Sequence, residues 1–269
     1  MVKVGATFLS ATPHPSLRGV VLRYEGYRET APHPVVFREL PCSFVPVIID
    51  LDAGWTINHS LRLRSFVAGI TESLVYVRHD GTATCLQVDL TVLGARRLLG
   101  LPMHVLANQT IAIEDVLGVA GHRMVQRIGE APDWPTRFAL VDRAIRARLA
   151  DSPPIDAGLA WSLDRITAGA SSIGSLATEL GWSHRRLIAR YRDAVGLPPK
   201  TVARIARFER LTARLSGSGG ADWATLAAEC GFFDQAHLYR EVRDFTGQTP
   251  TELRASMVNF VQDDVLVSS

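Results

Sequence analysis

The residues of this chain best suited to chemistry are arginines and a glutamine set at helical spacing in two places. At about 100° per residue, Arg185, Ala189 and Arg192 point one way, Leu187 and Ala194 point the other, and Arg186 lies on the flank. Further on, Ala236, His237, Arg240 and Arg243 lie opposite Leu238 and Phe245, with Gln235 at the segment start. A guanidinium fork matches guanine O6 and N7, and a carboxamide matches adenine. Either can hold a phosphate, so these types suit a DNA-reading face. The nine residues Arg185, Arg186, Ala189, Arg192, Gln235, Ala236, His237, Arg240 and Arg243 are the candidate DNA-binding set. Their types do not divide base contacts from phosphate contacts.

Local charge points the same way. The whole chain carries a formal net charge of only +2, yet residues 183–215 hold nine basic side chains against two acidic ones. Such a patch is the footprint of a phosphate-binding surface. A solvated arginine-rich helix face is the competing reading.

Both faces sit inside a pattern that occurs twice. Leu176-Ala177 and Leu180 precede Gly181-Trp182-Ser183, after which Leu187, Tyr191 and Ala194 line an inner face. In the second copy Leu226-Ala227 precedes Gly231-Phe232-Phe233-Asp234, followed by Leu238, Val242 and Phe245. The alanines permit close helix approach, the glycines a tight turn, and Ser183 and Asp234 the start of a second helix. One copy is easily mimicked by any three-helix bundle, whereas two in one small domain favour paired readers. A connecting helix over 200–215 would be roughly 24 Å long at 1.5 Å per residue, which sets the readers near the ~34 Å of one DNA turn. Its Val202, Ile205, Phe208 and Leu215 read as core. Arg204, Arg207, Arg210 and Arg214 share another side, expected to be solvated or close to phosphate.

With these residues in place, 173–254 resembles the DNA-binding domain of the AraC/XylS family of bacterial regulators. The resemblance is carried by Leu176-Ala177 with Gly181-Trp182-Ser183, by the linker from Arg204 to Leu211, and by Gly231-Phe232 with Asp234, His237-Leu238 and Arg240. The ending Gly247-Gln-Thr-Pro250 with Leu253-Arg254 completes it. It implies recognition helices in successive major grooves of operator DNA, RNA polymerase as a further partner, a homodimer, and a β-rich N-terminal domain that binds a small effector or mediates dimerisation. The sequence departs from the family at Leu238 and Val242, where phenylalanines are common. It departs again at Glu241, where a carboxylate is expected to weaken phosphate contact.

Ahead of this domain the chain reads differently. Runs at 19–24, 35–40, 44–51, 73–79 and 84–90 are rich in valine, isoleucine and aromatics and are punctuated by proline, glycine and aspartate, as strands are. Helical spacing takes over near residue 91 and lasts to Asp151-Ser-Pro-Pro154. The expected class is therefore α+β. A β-rich, cupin-like or barrel domain with flanking helices spans 1–152, an all-α double helix-turn-helix domain 153–257, and a tail 258–269. The run from Ser216 to Gly220 reads as a flexible loop.

Other chemistries find little support. No apolar run reaches the ~18 residues of a membrane span and no signal pattern opens the chain, so a cytoplasmic, nucleoid-associated protein is expected. Cys42, Cys85 and Cys230 are isolated and odd in number, which argues for buried thiols and against a disulfide framework or zinc site. His14 and His33 are flanked by prolines, and His59 and His79 fall near strand ends, so neither metal nor cofactor is expected. Ser162 and Ser171 lack a nucleophile-elbow context, and no phosphate-cradling loop occurs, so an enzyme is not expected. No effector-binding residue is assigned. Trp55, Tyr76 and Arg78 could line a pocket, but packing is the plainer role. An apolar cavity would favour sensing, and a filled barrel with an exposed apolar patch would favour a module for dimerisation or a protein partner.

Overall fold

The computed structural model describes residues 5–170, 172–216 and 222–265, with side chains to residue 257. Ser171 and the loop beyond Ser216 lie outside the described residues.

The β-branched and aromatic runs of the first half form ten antiparallel strands, because such side chains pack well on a pleated, half-buried surface. They are β1 (Gly5–Ala11), β2 (Val21–Thr30), β3 (Val35–Glu39), β4 (Phe44–Asp50), β5 (Trp55–Ile57), β6 (Leu61–Leu63), β7 (Phe66–Ala68), β8 (Val75–His79), β9 (Thr82–Thr91) and β10 (Thr110–Ala112). A six-stranded sheet runs β1-β2-β9-β4-β7-β10, and a four-stranded sheet runs β3-β8-β5-β6. Each of the five expected runs overlaps one strand. The short β5, β6, β7 and β10 have three residues apiece, too few for alternation to register.

The period of two along each strand decides what each face of the larger sheet meets. Tyr24, Val45, Val47, Ile49, Val67, Leu86 and Val88 are buried on one face. They pack with α1 (Val92–Leu99), α2 (Ile113–Glu130) and α3 (Trp134–Ala150) in one core. The Tyr24 ring, for example, lies 6.2 Å from that of Phe138. The other face presents Arg23, Glu25 and Tyr27 from β2 and Cys85 and Gln87 from β9 toward the smaller sheet. That second interface is not filled.

Among the described residues, every element after α3 is a helix. The elements are α4 (Ala157–Thr167), α5 (Ile173–Glu179), α6 (His184–Ala194), α7 (Pro199–Ser216), α8 (Trp223–Cys230), α9 (Gln235–Thr246) and α10 (Pro250–Val265). Their apolar stripes converge on α7, whose Val202, Ile205, Phe208, Leu211 and Leu215 are buried as the spacing predicts. The last helix runs to Val265, into the segment expected as a tail.

The two halves touch directly. The Ser43 N–H donates to Glu209 Oε1 at 2.7 Å. The Leu74 N–H donates to the Phe245 carbonyl at 3.1 Å, and Arg96 pairs with Asp193 at 3.4 Å.

Candidate functional site

Two helix-turn-helix units form as the spacing requires. In the first, α5 and α6 are joined through Gly181, whose φ of +62° only glycine adopts without strain. The Ser183 hydroxyl accepts from the Arg186 N–H at 3.2 Å and so caps α6. In the second, α8 and α9 are joined through Gly231 at φ +84°. The Asp234 carboxylate accepts from the His237 N–H at 2.6 Å and caps α9. Ala177 and Ala227 are buried at the crossing of each pair, where a larger side chain would push the helices apart. An N-cap is typically worth about 1 kcal/mol, so both units start from an anchored end.

These anchors leave the candidate set facing outward. Arg185, Arg186, Ala189 and Arg192 are exposed along α6, opposite the buried Leu187, Tyr191 and Ala194. Gln235, Ala236, Arg240 and Arg243 are exposed along α9, opposite Leu238, Val242 and Phe245. Arg186 is stiffened by the Trp182 ring, 5.1 Å below its guanidinium. His237 differs from the others. Its Nδ1 accepts from the Phe233 N–H at 3.1 Å, so its Nε2 carries the proton toward Glu241 Oε1 at 3.2 Å. Both ring nitrogens are occupied within the unit, and the side chain is only 28 % exposed.

Arg214 is exposed, as expected of the linker's basic side, but Arg204, Arg207 and Arg210 are half-buried. Arg204 pairs with Glu241 and Asp244, each at 3.1 Å, and Arg207 pairs with Glu241 at 2.8 Å. Arg210 donates to the carbonyls of Thr167 and Cys230, and Arg214 pairs with Glu229 at 3.3 Å. Half-buried guanidinium groups need acceptors more than they need solvent, and the neighbouring helices supply them. The expected weakening of phosphate contact by Glu241 is replaced by another role. That carboxylate is buried and ties the linker helix to the second unit. Among the described residues, Arg185, Arg192 and Lys200 have no carboxylate within ion-pair distance, and with Arg186 they make the outward charge of this segment.

One exposed residue escaped the sequence reading. Phe233 is 92 % exposed, immediately before the cap of α9. Its neighbour Phe232 is buried in the small core, and a pair of adjacent phenylalanines gives no sign of which one turns outward.

Between the two sheets lies a cavity of about 520 Å³. Its walls include Phe8, Tyr27, Phe37, Trp55 and Ile57, with Arg23, Glu25, Glu39 and Gln87 among the polar groups. Trp55 donates its Nε1–H to Asp50 Oδ1 at 3.1 Å, which fixes its ring on the wall. Tyr76 and Arg78, also singled out from sequence, do not line it. The Cys42 thiol is half-buried on the cavity wall, and burial pushes its pKa up to about 12. Cys85 and Cys230 are buried free thiols. His79, 1 % exposed, is the last residue of β8. It faces Glu29 Oε2 at 2.7 Å, and Tyr27 donates to the same carboxylate. Among the described residues no three His, Cys, Asp or Glu side chains converge as a metal site requires. No helix there is long and apolar enough to cross a membrane.

Comparison with known proteins finds one family match in each half of the chain. Residues 176–256 match a family described as a helix-turn-helix domain, and residues 9–112 match one described as a domain of unknown function (DUF6597). No curated protein matches the chain. Among solved structures, ToxT from Vibrio cholerae O395 is similar with a TM-score of 0.45 and 10% identity, over 89% of this chain and 98% of that one. Unsaturated fatty acid bound wild-type ToxT from Vibrio cholerae strain SCE256 gives 0.45 and 8%, over 91% and 96%. The AraC-like transcriptional activator CuxR gives 0.24 and 13%, over 82% and 91%.

Proposed function

The C-terminal third of this chain is a helix-turn-helix domain of the AraC/XylS type, and from that premise we propose that the protein is a sequence-specific transcription regulator controlled by a small molecule held in its N-terminal domain. The observation that carries the reading is the pairing of outward faces. Two capped helices on one linker each turn arginines away from their own core. With α7 18 residues long, the two helices are spaced to enter successive major grooves on one side of a duplex. Arg185, Arg186, Ala189 and Arg192 serve the first groove. Gln235, Ala236, Arg240 and Arg243 serve the second, with His237 shaping the helix start.

The cavity supports sensing over a module for partner binding alone, because a sandwich built only to dimerise has no use for an unfilled interior. Its walls also reach the DNA-binding half. Thr71, Ser73 and Val75 line the cavity, and the alternate residues Glu72 and Leu74 contact Arg204 and Phe245. A ligand that shifts this strand entry therefore shifts the reading domain. The protein acts as a homodimer in the cytoplasm, bound to operator DNA within reach of RNA polymerase.

The test is selection of random-sequence duplexes by the purified full chain at near-physiological salt, where non-specific attraction fades. Enrichment of two blocks about ten base pairs apart is the expected result. A single block would overturn the paired-reader reading, and no enrichment would mean that the DNA-binding state needs its effector or that the domain has lost its reading role.

A further inference from the structure

Aromatic rings from both sheets meet at the cavity. Tyr27 on β2 and Phe66 on β7 line it from the larger sheet, Phe37 on β3 and Trp55 on β5 from the smaller one. The rings of Tyr27, Phe37 and Trp55 lie 6.0 to 6.5 Å apart, centroid to centroid. Tyr27, Trp55, Ile57 and Phe66 are buried in a small apolar cluster separate from the main core. Protein interiors are close-packed, so a space of about 520 Å³ among such rings is room for a guest rather than a packing fault.

The polar groups on this wall are already engaged within the protein. Tyr27 donates its hydroxyl to Glu29, and Trp55 donates its Nε1–H to Asp50. Gln87 donates to Asp89 at 2.8 Å. Arg23 is the one basic side chain among the described residues that line the cavity. Its Nε donates to the buried Asp89, and its Nη1 lies 3.6 Å from Glu25. The Cys42 and Cys85 thiols stay protonated, because burial raises both pKa values.

A charged guest therefore gains little. An anion meets no uncommitted cation and would have to displace Asp89 or Glu25 from Arg23, and an unpaired charge taken out of water is costly. A cation meets Glu25 already beside Arg23. It also meets Glu39, which is exposed at the end of β3, where water hydrates the charge and an ion pair contributes little. The rings, by contrast, stabilise any apolar body that fits between them, in proportion to the area it removes from water.

We propose that the cavity takes an uncharged, ring-bearing small molecule, seated on Tyr27, Phe37, Trp55 and Phe66. The assignment deepens the sensor reading and rests on it.

Three biphenyls of matched shape test it: 4-biphenylmethanol, biphenyl-4-carboxylate and 4-biphenylmethylamine, titrated calorimetrically into the full chain at neutral pH. The alcohol is expected to bind about ten-fold or more tighter than either ion, since each ion loses hydration that the wall does not replace. Two wall variants locate the guest. Ala68→Leu enlarges a lining side chain and Phe37→Ala removes a lining ring, and each is expected to weaken the alcohol about five-fold or more. Thermal unfolding shows whether each variant folds, and if neither does, the ranking of the three probes on the parent still decides. Equal or tighter binding of either ion overturns the uncharged assignment and leaves the sensor reading standing. Alcohol binding unchanged in both folded variants puts the guest elsewhere and overturns it as well. Silence from all three probes overturns both the assignment and the use of this cavity as a ligand site.

Discussion

Arg207 on the linker helix donates through Nη2 to Oε1 of Glu241 on the second recognition helix at 2.8 Å, inside a contact almost closed to water. The same oxygen receives Arg204 and faces His237. One carboxylate thus holds three potential cations and fixes the angle between linker and reader. The apolar contact between Phe208 and Phe245, with ring centroids 5.0 Å apart, continues the same joint.

Removing that carboxylate should be expensive. Glu241→Ala leaves Arg207 without its carboxylate and Arg204 with only Asp244 and Glu72, and breaking a buried pair from one side costs about 3–5 kcal/mol. Arg204 and Arg207 remain a fifth to a quarter exposed, so the lower end is expected. Chemical denaturation should show that loss. Duplex binding should fail first at the block read by α9. A change below about 0.5 kcal/mol, the range of ordinary surface substitutions, would mean that the arginines find water instead.

Arg185 tests base reading. It is exposed on the outward face of α6 and has no carboxylate partner among the described residues. Arg185→Ala is expected to weaken binding to the selected operator by about 1–3 kcal/mol and to relax one base position. Uniform weakening across sequences, with a shallower salt dependence, would assign it to phosphate instead.

Phe233 offers a cleaner separation of binding from folding. At 92 % exposure its ring contributes little to the core, so Phe233→Ala should leave stability within about 0.5 kcal/mol. Because it stands at the groove-entering end of α9, the same change should reduce operator affinity and the preference for a thymine methyl at one position. Unaltered affinity would make it an incidental surface ring.

Legibility in the sequence followed the physics of each feature. The two readers were legible because a glycine turn, a capping side chain and an apolar stripe all lie close together in the chain. The role of Glu241 was not, because its partners Arg204 and Arg207 are more than thirty residues away and charge type alone suggested repulsion from phosphate. Arg204, Arg207 and Arg210 misled for the same reason. A basic helix side looks identical whether it faces DNA or neighbouring acids. Trp55 was picked out without an assignment, and Glu39 not at all, since a cavity depends on which sheet each strand joins. Strands of three residues hide that topology.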